Sequence, residues 1–130
     1  MNVRIYYEDT DAAGVVYHAR YLHFMERARA EFFRKQGYSV ATLANEGYVF
    51  PVVDVNISFK QAATLDEELR VTVEPAELGG ARFSVVQKVL RVSDGQLLVE
   101  ALVTLACIGN DRRPRRIPAV IATLWGETTA

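Results

Sequence analysis

Residues 6–29 read YYEDTDAAGVVYHARYLHFMERAR, and the change of pattern inside them decides the fold. Before the acids, Val3, Ile5 and Tyr7 alternate as a short apolar, strand-like start, with Tyr7 facing inward. From about Tyr17 a helical pattern takes over. Over 21–36 neither Gly nor Pro occurs, and Tyr21, Leu22, Met25, Ala28, Phe32 and Phe33 fall on one broad helical arc with Gly37 as its expected C-cap. At ~1.5 Å per residue that helix spans about 25 Å. Between strand and helix sit Glu8, Asp9 and Asp11, followed by Gly14, Tyr17 and His18. Such a junction offers unpaired backbone N–H groups and the positive end of a helix dipole, which favour an anion or a developing oxyanion. Carboxylate, imidazole and amide donors side by side are the parts of an acyl-transfer site.

Downstream, a shorter helical piece is expected over 40–46, and after Gly47 the period changes to two. Val53, Val55, Ile57 and Phe59 alternate with polar residues, as do Leu69, Val71 and Val73, which marks half-buried strands. Two longer runs, 83–92 and 97–108, are joined by Ser93, Asp94 and Gly95, a hairpin signal. The last run is apolar on both faces and must be covered twice. One long helix and four long strands with hairpin-like connections predict an α+β domain over 1–130, an antiparallel sheet wrapped around a central helix. One helix covers one side of such a sheet. The other is left to the segment 119–125 or to another subunit, and the subunit is expected.

A chain of 130 residues with 50% hydrophobic and 24% charged residues is long enough to bury a real core. A net charge of -1 offers no basic field for nucleic acid. Cys107 is the lone cysteine, and His18 and His23 lie five apart rather than four, so no metal site is expected. Neither a signal-peptide pattern nor a membrane-length apolar run is present, so a cytoplasmic protein, not integral to a membrane, is expected.

The run from Val3 to Ala19, with Tyr21, Leu22, Phe24, Glu26, Arg27, Ala28 and Arg29, closely resembles the hotdog-fold acyl-CoA thioesterases. Within them it is similar to the 4-hydroxybenzoyl-CoA thioesterase group, in its YbgC-like branch associated with Tol-Pal envelope genes. The resemblance extends to 59–65 and to Arg116, Ile117 and Pro118. It implies hydrolysis of short-chain or aryl acyl-CoA, with Asp11 as the catalytic carboxylate, His18 and Tyr7 beside it, and the backbone amides of Tyr17 and His18 polarising the thioester carbonyl. It further implies substrate contacts from Gly14 and Val15, no cofactor beyond the CoA of the substrate, and a homodimer or homotetramer with its sites at subunit interfaces. The Asp that often ends the last strand in this branch is replaced around Gly109, which bears on the turn that follows.

Thioester hydrolysis needs little machinery, because the leaving thiol has a pKa of about 8.5 and departs without a strong acid. Asp11 either activates water or attacks the carbonyl to form a mixed anhydride; the sequence leaves both routes open. Each residue also has a plainer role: an Asp before a helix is most often a cap or turn former, Glu8 and Asp9 read as turn and solvent residues, and Tyr7 as packing. On the helical wheel Arg29 falls inside the apolar arc and Glu26 at its margin; three apart, they are expected to form a structural ion pair, with each other or shared with a neighbouring subunit. Arg112, Arg113, Arg115 and Arg116, with Lys60, Arg82 and Arg91 as weaker candidates, suit the phosphates of CoA or the acidic surface of an acyl carrier protein. The rival readings are a catalytically weak acyl-binding scaffold working with acyl carrier protein and envelope lipid enzymes, and a hotdog dehydratase or hydratase.

Overall fold

The computed structural model describes residues 1–126. Strand β1 (Asn2–Arg4) leads through a 3-10 turn (Tyr7–Asp9) to helix α1 (Arg20–Lys35), and α2 (Val40–Asn45) follows. The rest is strands β2 (Val52–Phe59), β3 (Glu68–Val71), β4 (Glu74–Leu78), β5 (Arg82–Arg91) and β6 (Leu97–Ala106). A terminal piece, α3 (Ala119–Ala122) with a 3-10 turn (Thr123–Trp125), closes the described chain. Every strand pairing is antiparallel, in the order β1-β3-β5-β6-β2, with β4 also on β5. The sheet and α1 share one core: Tyr21, Phe24, Met25 and Ala28 of the helix are buried with Leu69, Val85, Val99 and Val103 of the strands. The expected α+β layering is present. Among the described residues no helix is long and apolar enough to cross a membrane.

Four details differ from the expectations. Helix α1 begins at Arg20 rather than near Tyr17, and its cap residue Ala19 has no side chain to close the first turn. Tyr7 stands in the 3-10 turn and is 82% exposed, so it is neither on a strand nor packed inward. The run through Leu69, Val71 and Val73 is interrupted at Thr72 and Val73, although its register against β5 continues unchanged, with Val71 opposite Val89 and Glu74 opposite Val86.

The fourth concerns β6. A bulge opposite Val89 and Leu90 draws Leu98 inward beside Val99, and both are fully buried. The outer face of β6 therefore carries Leu97, Glu100, Leu102, Thr104 and Ala106; of its two large apolar residues Leu97 is half-buried and Leu102 is 39% exposed. The C-terminal segment lies on the helix side instead. The Trp125 ring packs on Phe83 at 4.9 Å and Phe32 at 6.5 Å, and its Nε1–H donates to the Ser84 carbonyl at 3.0 Å.

Candidate active site

The residues between Ile5 and α1 are organised by a buried carboxylate. Asp9 is 4% exposed. Its Oδ2 accepts from the Tyr6 N–H at 2.9 Å, and its Oδ1 from the Arg20 Nε and NH2 groups at 3.0 and 2.7 Å. Its backbone carbonyl accepts the Tyr17 N–H at 2.9 Å. Asp9 thus ties both ends of the loop to the first residue of α1, and it is not the solvent residue expected. Glu8, by contrast, is exposed and reaches only the outer side of Arg20, at 3.6 Å.

From this anchor the chain makes a small hairpin, with Thr10 bridged to Val16, Val15 bridged to Thr64, and the Val16 N–H on the Ala63 carbonyl at 2.9 Å. Asp11 begins the turn at its tip. Its carbonyl accepts the Gly14 N–H at 3.0 Å, and its Oδ1 accepts the Ala13 N–H at 2.9 Å. Gly14, at φ 83°, completes the turn in the left-handed region that favours glycine. The plainer role of Asp11, turn former, is therefore real. Its Oδ2 has no hydrogen-bond partner among the described residues, and Asp11 lines an opening of about 540 Å³ with Tyr7, Thr10, Ala12, Gly14 and Leu65.

His18 stands elsewhere. Its ring lies 4.6 Å from that of Tyr17 and 6.2 Å, edge-on, from Phe59, which in turn is 5.9 Å from Tyr21. The Tyr21 hydroxyl accepts the Ala63 N–H at 3.2 Å, and burial holds its pKa above the usual tyrosine value. Tyr7, Asp11 and Gly14 thus share one opening, His18 and Tyr17 form an aromatic patch with Phe59, and no hydrogen bond joins Asp11 to His18. The amides differ as well. That of Tyr17 is already engaged by Asp9, which removes it from the expected oxyanion pair, whereas the His18 and Ala19 N–H groups at the uncapped helix start have no backbone partner among the described residues. Val15 lies outside the lining of the Asp11 opening.

The arginines divide into engaged and available groups. Arg115 donates to the carbonyls of Glu46 and Gly47, at 3.1 and 2.8 Å, and lies 3.8 Å above the Tyr48 ring, so it is a structural clamp rather than a phosphate ligand. Arg91 is held by Glu67 at 2.6 Å and Asp94 at 2.8 Å in the β5–β6 hairpin. Arg112, Arg113, Arg116, Lys60 and Arg82 are exposed, and their side chains make no hydrogen bond or ion pair among the described residues. The turn at the replaced position is compact: Gly109 donates to the Arg113 carbonyl at 3.0 Å, and the Asp111 carboxylate accepts the Arg113 N–H at 3.0 Å.

The expected Glu26–Arg29 pair is absent. Arg29 donates instead to Oε1 of Gln87, a fully buried side chain on β5, at 3.0 Å, and no Glu26 oxygen lies within 4.0 Å of it. The signal was a Gln on the inward alternation of Phe83, Val85 and Val89. Burial lowers the Arg29 pKa, with Glu26 opposing that shift from a distance. Cys107 is fully buried, and burial raises its pKa, which suits packing rather than nucleophilic chemistry.

Residues 6–124 match the model of the thioesterase-like superfamily. The acyl-CoA thioesterase YbgC of Haemophilus influenzae is 46% identical over 107 residues, covering 82% of this chain and 77% of the relative. The acyl-CoA thioester hydrolase YbgC of Escherichia coli is 38% identical over 120 residues, covering 92% and 89%. A probable thioesterase from Bartonella henselae superimposes with a TM-score of 0.84 at 40% identity, covering 91% of this chain and 97% of the other. A 1,4-dihydroxy-2-naphthoyl-CoA thioesterase from Synechocystis superimposes at 0.90 with 23% identity, covering 98% and 94%, a likeness of fold. The chain belongs to the thioesterase-like superfamily, has its hotdog fold, and falls within it in the family of the YbgC acyl-CoA thioesterases.

Proposed function

We propose that the protein hydrolyses acyl-CoA thioesters, of short-chain or aryl type, to the free acid and CoA, and that Asp11 is the carboxylate that acts. The observation that carries this reading is the state of that carboxylate. One oxygen is oriented by the Ala13 N–H, the other has no protein partner among the described residues, and the residue lines an opening. In the general-base route Asp11 takes a proton from water as the oxygen attacks the carbonyl carbon; the C–S bond then breaks, and the departing thiolate of CoA recovers a proton. In the nucleophilic route Asp11 attacks the carbonyl carbon first, the C–S bond breaks and the CoA thiolate leaves to take up a proton, and water cleaves the resulting anhydride to the free acid and the regenerated Asp11 carboxylate. The His18 N–H, at the positive end of α1, suits the oxyanion of either route, a contact typically worth about 3–4 kcal/mol. The His18 imidazole and the Tyr7 hydroxyl are assigned to holding water or the thioester.

Arg112 and Arg113, with Lys60, Arg82 and Arg116, are the cations available to the phosphates of CoA, and the same charges suit an acyl carrier protein. The substrate class is also the ground for a cytoplasmic place of action. The last strand of the sheet, β2, has an open edge and exposes Val52, Val53 and Phe59, at 43%, 43% and 50%. This supports a dimer through that edge, with a tetramer as a pair of such dimers and the sites between subunits.

The test is thiol release from acetyl-, butyryl-, benzoyl-, hydroxybenzoyl- and palmitoyl-CoA by the wild type, Asp11→Asn and Asp11→Ala. Asn keeps an oxygen for the Ala13 N–H, so it removes charge and leaves the turn. Both variants are expected to lose on the order of 10²–10⁴-fold in kcat/KM while staying folded. Turnover indifferent to Asp11 would displace it from the reaction. Absence of turnover together with tight retention of acyl ligands would favour an acyl-binding scaffold.

A further inference from the structure

Arg29 stands half-buried at the wall of a second cavity, of about 450 Å³, enclosed chiefly by Phe33, Val49, Phe50, Val52 and Leu105. That is the size and the apolar character of a small-molecule site. Gln87 fixes the guanidinium in place. Its Nε2 donates to the Met25 carbonyl at 3.0 Å and faces the Thr72 carbonyl at 3.4 Å, which orients the amide and leaves Oε1 to accept from Arg29. A guanidinium has five N–H donors. One is engaged here, and among the described residues no carboxylate oxygen lies within 4.0 Å of Arg29. A cation taken from water without a counter-charge is costly, and an anion arriving on an apolar stem would relieve that cost. The other charges on the lining are Glu26 and Arg27, both exposed, so the cavity keeps a net positive charge.

We propose that this cavity receives short acyl groups ending in a carboxylate, ω-carboxyacyl thioesters, with Arg29 as the partner of the distal anion. The inference rests on the thioesterase reading and on pairing of the β2 edges. Within one protomer the cavity and the Asp11 opening share no lining residue. Arg29 is nine residues beyond Arg20 on α1, roughly 13 Å along the axis. Antiparallel pairing of two β2 strands brings Val52, in the cavity wall, toward the partner's Phe59, and it is on Phe59 that His18 packs. The cavity of one protomer would then serve the reacting groups of the other.

The experiment compares kcat/KM for glutaryl-CoA and hexanoyl-CoA, chains of similar length with and without the distal charge, in wild type, Arg29→Lys and Arg29→Gln. The wild type should favour glutaryl-CoA at least tenfold. The glutaryl-to-hexanoyl ratio should fall at least tenfold in Arg29→Gln and less in Arg29→Lys, which keeps the charge but loses the fork. A wild type indifferent to the distal carboxylate, or a ratio unmoved by Arg29→Gln, overturns the proposal while leaving the thioesterase reading intact. So does dissociation of the oligomer in Arg29→Gln with an unchanged ratio, which would make Arg29 the partner of an acid on a neighbouring chain. If no ester is turned over, or if the variant is inactive, calorimetry with the non-hydrolysable thioether analogues of both esters decides. Tenfold tighter binding of the glutaryl analogue, lost in Arg29→Gln, supports the assignment; equal or absent binding rejects it.

Discussion

Two aspartates two positions apart do opposite work. Asp9 is enclosed and accepts three hydrogen bonds through its carboxylate, whereas Asp11 is exposed and accepts one. Removing one partner of a buried pair leaves the other charge unmatched, a loss of about 3–5 kcal/mol for a fully enclosed pair. Arg20 is a quarter exposed and can turn to water or to Glu8, so Asp9→Ala is expected to cost about 2–3 kcal/mol. Urea unfolding would show it, and Asp11→Ala should move the same midpoint by far less. A midpoint that responds equally to both would contradict the distinction. The sequence placed both acids at the strand-to-helix junction and read Asp9 as a turn and solvent residue, so the burial of Asp9 was not legible. What separates them is Arg20, eleven residues from Asp9, and no periodicity announces a contact of two guanidinium nitrogens with one carboxylate oxygen across a loop. The same limit applies to Arg29: its inward position was legible on the helical wheel, but its partner Gln87 lies 58 residues away on another element.

Elements were legible where local chemistry sets them. The α1 run, its Gly37 end and the Asp94-Gly95 hairpin follow from composition alone, and the hairpin closes as expected, with the Gly95 N–H on the Arg91 carbonyl at 2.7 Å. The bulge that buries Leu98 with Val99 was not legible, because it depends on how β5 and β6 align, and an apolar residue gives the same signal on either face. Nor was the clamp behind α2, where Gly47, at φ 87°, lies against the guanidinium of Arg115. A Cβ there would meet Arg115 NH1 at 2.5 Å and displace it from two carbonyls and from the Tyr48 ring. Gly14 also has positive φ, yet a Cβ built on it meets nothing within 4 Å. Gly47→Ala should therefore cost about 2–3 kcal/mol, combining backbone strain with lost hydrogen bonds, and Gly14→Ala only about 1 kcal/mol. Thermal unfolding of the two variants side by side tests this, and equal shifts would mean that Arg115 contributes nothing to the clamp.

At the scale of the whole molecule the protomer is unbalanced. The sheet ends on one side at β1, three residues long, and on the other at β2, eight residues long and open along its outer edge. Val52, Val55, Ile57 and Phe59 share the face of β2 that is continuous with the core, opposite Leu105, Val103, Ala101 and Val99 of β6, but they are only partly covered: Val52 and Phe59 are exposed, and Val55 and Ile57 half-buried. A long, exposed, apolar edge is an aggregation hazard unless another strand occupies it, and a second copy of β2 is the strand that fits by symmetry. Antiparallel pairing of two such edges would satisfy the open backbone groups and bury the exposed part of that apolar face in one step. A lysine at Val55, near the middle of β2, would then place two ammonium groups against each other across the twofold axis. Val55→Lys is expected to shift the mass measured by light scattering from oligomer to monomer at micromolar concentration. Thioester turnover should fall in parallel, because a site between subunits cannot survive their separation, even though Val55 touches neither Asp11 nor His18. A variant that separates into monomers and keeps its turnover would show that one chain holds the complete site. A wild type that is itself monomeric and active would remove the shared-site arrangement altogether.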